Sequence, residues 1–208
     1  MVKNLSKKQP YHHGNLRETL LTAGEAALAE LPLYSVTLRE IARRSGVSHT
    51  APKHYFPMLG DLLGEIAARG YEKFVVALAC GACSSDIQTP EERLVGMVRA
   101  YFRFADANPT IYGLMFGKSD TLTLTTRLKT AMEHAWRQIE IATAELVSST
   151  NATMAALTLW SFVHGLVMLK LAQRTPSDLS LVELEEDLVR TVVAGLKSNV
   201  LCRPSRST

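Results

Sequence analysis

Apolar residues recur three and four positions apart along almost the whole chain, which is the period of an amphipathic α-helix. The period predicts about nine helices, over residues 15–31, 37–46, 48–56, 62–78, 89–108, 110–117, 128–149, 153–173 and 180–197. Only "TLTLT", at 121–125, alternates like a strand. Because it has no second strand to pair with, we interpret it as a loop or a helix start. The sequence therefore predicts an all-α protein.

Several predicted helices begin and end at residues that favour helix termini. Three Thr/Ser-x-x-Glu pairs have the spacing of a capping box, in which each side chain accepts a hydrogen bond from the other residue's backbone N–H. The pairs are Thr37 with Glu40, Thr89 with Glu92, and Ser180 with Glu183. Pro32 ends the first helix, and Gly46 ends the second at a turn where a positive φ is cheap for glycine.

The second and third predicted helices, joined by "SGV" at 45–47, have the pattern of a helix-turn-helix. In this motif the first residues of the second helix meet base edges in the major groove, and here these are His49 and Thr50. Other polar residues of the two helices are candidate DNA contacts, several of them to phosphate. They are Thr37, Arg39, Arg43, Arg44, Ser48, Lys53, His54 and Tyr55. The alternative is a solvated basic face on a helical hairpin.

Charge is distributed unevenly, and this favours DNA as the partner of the N-terminal part. Residues 1–57 carry eight Lys or Arg against four Asp or Glu, whereas the remainder carries 15 against 16. Four of the six histidines also lie in the first 57 residues. Such asymmetry indicates an anionic partner for that part of the chain.

Composition and cysteine content favour a soluble cytoplasmic protein. Apolar residues make up 47% and charged residues 21%, as in globular chains. Three cysteines do not form a disulfide framework. The N-terminal segment has no apolar stretch typical of a signal peptide. The longest apolar run, "LTLWSFVHGLVMLKLA", is shorter than the roughly 20 residues of a membrane span, so we expect no membrane association.

No other motif predicts a catalytic, cofactor or metal site. Cys80 and Cys83 have C-x-x-C spacing but lack a second ligand pair. "GLMFGKS" has three residues between its glycines, where a phosphate loop has four. His12 and His13 are a possible metal pair, but a position near the DNA backbone is the favoured interpretation. We therefore expect neither an enzyme nor a cofactor.

Most of the chain resembles the tetracycline-repressor (TetR) family of transcriptional regulators. "TLREIARRSGVSHTAPKHYFPMLGDLL" resembles the N-terminal domain of that family, and "YHHGNLRETLLTAGEAALAE" its first helix in one subgroup. "NPTIYGLMFG" and "LWSFVHGLVML", with Trp160, His164 and Gly165, resemble the C-terminal domain of the subgroup. The resemblance implies a homodimer that binds palindromic operator DNA and releases it when a small molecule enters the C-terminal domain.

The chain departs from the family pattern at three positions of the DNA-binding segment. Lys53 stands where the family commonly has Tyr, and Tyr55 where it has His before the Phe. Both can contact phosphate, so the sequence preference is what changes. Leu59 stands where a Lys usually contacts phosphate at the start of the fourth helix. We expect that contact to be missing, with backbone N–H groups there as a substitute.

The predicted domains are residues 11–60, for DNA binding, and 61–200, for ligand binding and dimerisation. Aromatic and methionine side chains in 90–170 are candidates for an apolar ligand pocket, although each could equally be core. They are Met97, Tyr101, Phe102, Met115, Phe116, Trp136, Trp160 and His164. For the last two, core packing is the favoured interpretation, with Gly165 admitting a neighbouring helix.

Dimerisation is expected through the two last long helices, 153–173 and 180–197, because each is strongly apolar on one face. The predicted function is a DNA-binding regulator, released from its operator by a mainly apolar effector. The alternative is a helical small-molecule sensor that lacks sequence-specific DNA binding, for which Leu59 is the best support. The sequence does not identify the operator or the effector.

Overall fold

The computed structural model describes residues 16–83, 89–117, 122–147, 151–175 and 181–201, with the side chains of 181–186 and 199–201 left aside. Within these ranges every regular element is helical, which confirms the predicted all-α class. The described residues form eight α-helices: α1 Leu16–Glu30, α2 Leu38–Arg44, α3 Leu59–Ala82, α4 Pro90–Ala107, α5 Pro109–Phe116, α6 Thr126–Ala144, α7 Ala152–Leu171 and α8 Leu181–Leu201. Two short 3-10 turns, Leu33–Ser35 and Ala51–His54, complete the described elements.

The chain divides into two compact units, and the division falls inside α3. Residues 16–66, together with 122 and 123, form unit 1, and the other described residues form unit 2. The division after Ile66 lies six residues beyond the end of the predicted DNA-binding segment. The helix continues through it without a linker.

Unit 1 is built on the apolar faces of its helices. Leu20, Leu21 and Leu28 of α1 are buried, as are Ile41 of α2 and Phe56. Leu20, Gly24 and Leu28 are buried at four-residue intervals on α1, so one stripe of the helix faces the core.

Gly24 of α1 lies in close contact with α3. A Cβ atom at this position would lie 2.7 Å from Ile66 Cδ1 and 2.9 Å from Leu62 Cδ2. A larger residue would therefore force the side chains of α3 to move.

The turn at Gly46 has the backbone conformation that the sequence predicts. Gly46 has φ +67°, in the left-handed region that glycine adopts without a steric penalty. Its N–H donates to Arg43 O at 3.2 Å, and Val47 N–H donates to Ala42 O at 3.0 Å. These two bonds satisfy carbonyl groups that the end of α2 would otherwise leave unpaired.

The predicted helix at 48–56 is shorter than expected. Only Ala51–His54 is helical, and it is a 3-10 turn of four residues. Pro52 supplies a physical reason, because a proline disfavours the α conformation in the residue before it, here Ala51. Pro52 and Phe56 are buried, so the turn is still fixed to the core of unit 1.

In unit 2, α6 packs on α7, and α8 packs on α4 and α7. The capping box of α4 is confirmed: Glu92 N–H donates to Thr89 Oγ1 at 3.2 Å, and Thr89 N–H donates to Glu92 Oε2 at 2.9 Å. "TLTLT" is not a strand in its described part, 122–125, where Thr125 accepts from Leu128 N–H and caps α6. Ser180 lies outside the described residues, and so does the third predicted box.

α7 is longer than the apolar run "LTLWSFVHGLVMLKLA" that it contains in large part. It has 20 residues, and by length and composition alone it would be able to cross a membrane. One such helix is weak evidence for a membrane protein, because core helices pass the same test. Ala155, Leu159, Val163 and Val167 bury one face of α7 within unit 2.

Candidate nucleic-acid surface and ligand cavity

The predicted DNA-contact residues lie mainly on the surface of unit 1. Nine of the ten are exposed and Arg44 is half-buried. Four of the nine line one shallow depression of about 940 Å³: Thr37, Arg39, Arg43 and His49. Ser48, Thr50, Lys53, His54 and Tyr55 are also exposed but do not line it. Residues from α2 and from the segment after Gly46 therefore share one polar surface.

Glu40 is the centre of an ion-pair network on α2. Arg43 donates to it from Nε at 2.8 Å and from Nη2 at 2.6 Å. Arg44 donates to it from Nε at 2.8 Å. These hydrogen bonds from Arg43 and Arg44 lower the pKa of Glu40 to about 2, so the carboxylate stays charged at neutral pH.

This network changes two predictions for α2. Thr37 caps the helix by accepting from Glu40 N–H at 3.1 Å, but Glu40 does not complete the predicted box because its carboxylate binds the two arginines. Arg44 also donates to Glu30 at 2.7 Å, and its side chain is only 18% exposed. Two carboxylate partners and partial burial suit Arg44 to holding α2 against α1 more than to the predicted phosphate contact.

The start of α3 offers less to a phosphate than expected. Leu59 is half-buried, and Met58 N–H donates to Asp61 Oδ2 at 2.9 Å. Asp61 therefore uses one of the N–H groups at this terminus and puts a negative charge where an anion would bind.

Unit 2 contains a cavity of about 260 Å³ between α3, α5, α6 and α7. Its lining is almost wholly apolar and includes five aromatic rings. The lining residues are Tyr71, Phe74, Phe116, Met132, Glu133, Ala135, Trp136, Ile139 and Trp160. The two tryptophan rings contact each other with centroids 5.6 Å apart.

Three of the eight predicted pocket residues line this cavity: Phe116, Trp136 and Trp160. Met97 and Tyr101 line a second void of only about 10 Å³, which Trp160 also borders. Phe102 and Met115 are buried but line neither cavity. The sequence marks Tyr71 only by its place within the helix predicted at 62–78. It had no signal for Met132 or Glu133, because a cavity wall has no sequence period of its own.

His164 belongs to a hydrogen-bonded cluster rather than to the cavity wall. Its Nδ1 lies 2.7 Å from Tyr112 Oη and 3.3 Å from Tyr101 Oη, and the two hydroxyl groups lie 2.9 Å apart. Burial raises the pKa of Tyr112 well above its ordinary value and that of Tyr101 to about 12. Both phenols therefore keep their protons, and Tyr112 can donate to a neutral imidazole.

Burial also lowers the pKa of His164, which favours the same neutral form. Beside the cluster, Trp160 Nε1 is buried and has no hydrogen-bond partner among the described residues. The side chains of Tyr112 and Trp160 act against burial and lower the pKa of the Tyr101 phenol, but burial has the larger effect. The hydroxyl groups of Tyr101 and Tyr112 thus have hydrogen-bond partners, whereas the neighbouring indole N–H of Trp160 has none among the described residues.

The structure gives no support to a metal centre in the part of the chain that it describes. No three His, Cys, Asp or Glu side chains come together there. Cys80 and Cys83 are exposed and free at the end of α3. His12 and His13 lie outside the described residues.

Comparison with known proteins identifies the fold of the chain. Residues 94–192 match the family model described as tetracyclin repressor-like, C-terminal domain. A TetR-family transcriptional regulator from Streptomyces coelicolor is 16% identical, with 93% of this chain and 92% of that one covered and a TM-score of 0.68. The chain has the fold of the TetR-family regulators.

Two further solved structures have this TetR-like fold. A protein of unknown function from Rhodococcus sp. RHA1 is 24% identical, with 93% of this chain and 99% of that one covered and a TM-score of 0.75. The TetR-family regulator PfmR from Thermus thermophilus is 16% identical, with 86% of this chain and 97% of that one covered and a TM-score of 0.59. No curated protein matches the chain.

The family-model match and the TetR-like fold together support a DNA-binding transcriptional regulator. The expectation that the chain is not an enzyme stays a prediction. The subgroup with Trp160, His164 and Gly165 stays a prediction.

Proposed function

We propose that the protein binds operator DNA through unit 1 and that a small molecule in the cavity of unit 2 controls this binding. The observation that supports the proposal is the depression of unit 1 that Arg39 and His49 line together, with Thr50 and Lys53 exposed in the segment that follows His49. A surface of this kind can combine phosphate contacts, which position the protein, with base contacts, which specify the sequence.

His49 and Thr50 are the proposed base-reading residues. Both are exposed, and they directly precede the 3-10 turn Ala51–His54. Thr50 Oγ1 lies 3.2 Å from Ser48 Oγ, which restrains its hydroxyl group. Lys53, Tyr55, Arg39 and Arg43 are the proposed phosphate contacts, with Arg43 exchanging its bonds to Glu40 for bonds to the DNA.

Homodimerisation through α7 is part of the proposal, because it would pair two reading surfaces on a palindromic site. One face of α7 exposes Met154 (61%), Leu157 (46%) and Met168 (38%). Gly165 lies along the same face, and a Cβ atom there would meet nothing within 4 Å. Gly165 therefore does not admit a neighbouring helix of this chain, but it would admit the α7 of a second copy. α8 contributes less, because Val189, Val193 and Leu196 are buried within the chain.

Affinity for duplex DNA at several salt concentrations tests the proposal. Preferred sequences are first selected from random duplexes, and His49→Ala, Thr50→Ala and Lys53→Ala are then compared on selected and random DNA. Losing a base contact should cost about 1–3 kcal/mol on the selected sequence and little on random DNA. Losing the Lys53 charge should weaken binding to both about equally and reduce the salt slope by about one unit. Lys129→Ala, an exposed lysine in unit 2, is the control and should behave like the unchanged protein.

The start of α3 favours a second candidate, a small-molecule sensor without sequence-specific DNA binding. Leu59 supplies no charge there and Asp61 supplies an unfavourable one. Failure to enrich any sequence from random duplexes would favour the sensor over the regulator. An unchanged ratio of specific to random affinity in both His49→Ala and Thr50→Ala would show that this segment does not read the bases.

A further inference from the structure

The cavity of unit 2 combines aromatic rings with a single carboxylate. Tyr71, Phe74, Phe116, Trp136 and Trp160 supply the rings, and Glu133 supplies the charge. Among the described residues that line the cavity, none is basic. The rings are in mutual contact: Phe116 lies 5.2 Å from Tyr71 and 6.4 Å from Trp160, between ring centroids.

Glu133 lies where the cavity meets the solvent, since it lines the cavity and is exposed. It forms no ion pair or hydrogen bond with any described residue. Lys129 and Arg137 are each four residues away on α6, a spacing that commonly produces helical ion pairs, yet neither pairs with Glu133 in the described structure. The carboxylate at the mouth of the cavity is therefore available to a ligand.

The aromatic rings and the Glu133 carboxylate favour a cationic ligand over a neutral or an anionic one. The faces of aromatic rings carry partial negative charge and attract organic cations, most strongly where water is excluded. A carboxylate beside them adds a favourable interaction with a cation and repels an anion. A neutral apolar ligand would fill the space but would desolvate Glu133 without pairing it.

The volume limits the size of the ligand. Since a water molecule takes up roughly 30 Å³ of liquid, a cavity of about 260 Å³ has room for on the order of ten non-hydrogen atoms. A single ring bearing a small ammonium group is of this size.

We propose that the effector is a small lipophilic organic cation, bound with its ammonium group among the aromatic rings and beside Glu133. The inference rests on the proposed function only in naming this ligand as the effector. The binding site itself can be tested without DNA.

Binding of three probes of matched size to the full chain tests the charge preference. Phenyltrimethylammonium is the cation, tert-butylbenzene is its neutral isostere, and 4-methylbenzoate is the anion. Tryptophan fluorescence reports binding directly, because the chain has two tryptophans and both line the cavity. We expect the cation to bind at least about tenfold more tightly than the isostere, and the anion to bind least.

Two glutamine variants on α6 separate the carboxylate from the rings. Glu133→Gln should weaken binding of the cation by about fivefold and change that of tert-butylbenzene less than about twofold. Glu140→Gln is the matched control: it removes a charge two turns further along α6, and the amide can still accept from Thr153 Oγ1. It should leave both affinities unchanged.

Equal or tighter binding of tert-butylbenzene would overturn the inference. So would binding of none of the probes, or an unchanged preference in Glu133→Gln. Failure of the proposed function looks different: the cation binds but does not release the selected DNA. A neutral probe that both binds preferentially and releases DNA would retain the function and reject the charge assignment.

Discussion

His49 and His164 are the same side chain in two settings, and the two units of the chain differ in the same way. His49 is exposed on unit 1, beside other exposed polar residues. His164 is half-buried in unit 2, where two tyrosine hydroxyl groups contact its Nδ1. Unit 1 thus has its polar chemistry on the surface, and unit 2 has much of its own inside.

The difference determines what a substitution should disturb. An exposed side chain contributes little to the free energy of unfolding, so its loss should appear mainly in binding. A buried one has a packing or hydrogen-bonding partner in the folded chain, so its loss should appear first in stability.

Phe74→Ala should cause the largest loss. Phe74 is 1% exposed and its ring contacts Tyr101, Phe104 and Phe116 at centroid distances of 4.8, 5.1 and 6.1 Å. Removing a buried aromatic ring should cost about 3–5 kcal/mol of unfolding free energy, measured by urea denaturation. Val76→Ala, on the same helix at 61% exposure, should stay within about 0.5 kcal/mol. Similar losses in the two variants would contradict the packing described for α3.

Tyr112→Phe should have an intermediate effect. The ring remains, but His164 Nδ1 loses its nearest hydroxyl partner and Tyr101 loses a bond of 2.9 Å. A buried group left with fewer partners should cost about 1–3 kcal/mol in the same assay. Ser48→Ala in unit 1 removes an exposed contact to Thr50 and should cost at most about 0.5 kcal/mol. If Ser48→Ala costs as much as Tyr112→Phe, the contrast between the units fails.

The stability of the protein should fall in mildly acidic solution. Burial lowers the pKa of His164 in the folded state below its ordinary value of about 6.5. As the pH falls below about 6.5, the unfolded chain therefore takes up a proton before the folded chain does, and stability decreases until the folded imidazole also titrates. Tyr101 and Tyr112 stay protonated throughout this range.

Thermal unfolding from pH 7.5 to 5 measures this dependence. His164→Asn should flatten the fall in Tm, even if it lowers Tm at every pH. An undiminished slope in the variant would assign the dependence to another group.

Glu40→Gln should change stability least. Glu40 pairs with two arginines on the surface, and exposed ion pairs contribute little to folding. The substitution frees Arg43 and weakens the hold on Arg44, so affinity for random duplexes should rise. The salt slope should steepen by up to about one unit for each arginine that gains a phosphate. A loss of affinity would mean that the network positions the arginines for DNA.

The sequence predicted best those features that depend on neighbours in the chain. Thr89 and Glu92 are three residues apart, so their reciprocal bonds follow from spacing alone. The φ of Gly46 follows from its place after α2. The helical period of 48–56 does not predict the 3-10 turn at Ala51–His54, because the period carries no information on the conformational effect of Pro52.

Contacts between residues far apart in the chain could not be predicted from the sequence. His164 is 52 residues from Tyr112 and 63 from Tyr101, and no spacing rule relates them. Arg44 was expected at the DNA, since the sequence does not show that Glu30 and Glu40 lie beside it. Glu133 gave no signal at all, because a single carboxylate on a helix becomes notable only beside the rings that line the cavity.

Gly46 shows how a position can be constrained without having any neighbours. A Cβ atom there would meet nothing within 4 Å, so no close neighbour opposes the start of a side chain. The backbone, at φ +67°, is nevertheless strained for most L-residues, and Asn and Asp tolerate it best after glycine. In a saturation mutagenesis library, tolerance at this position should follow the torsional preference of each amino acid and ignore its volume. The constraint at this position is therefore on the backbone φ angle and not on the volume of the side chain.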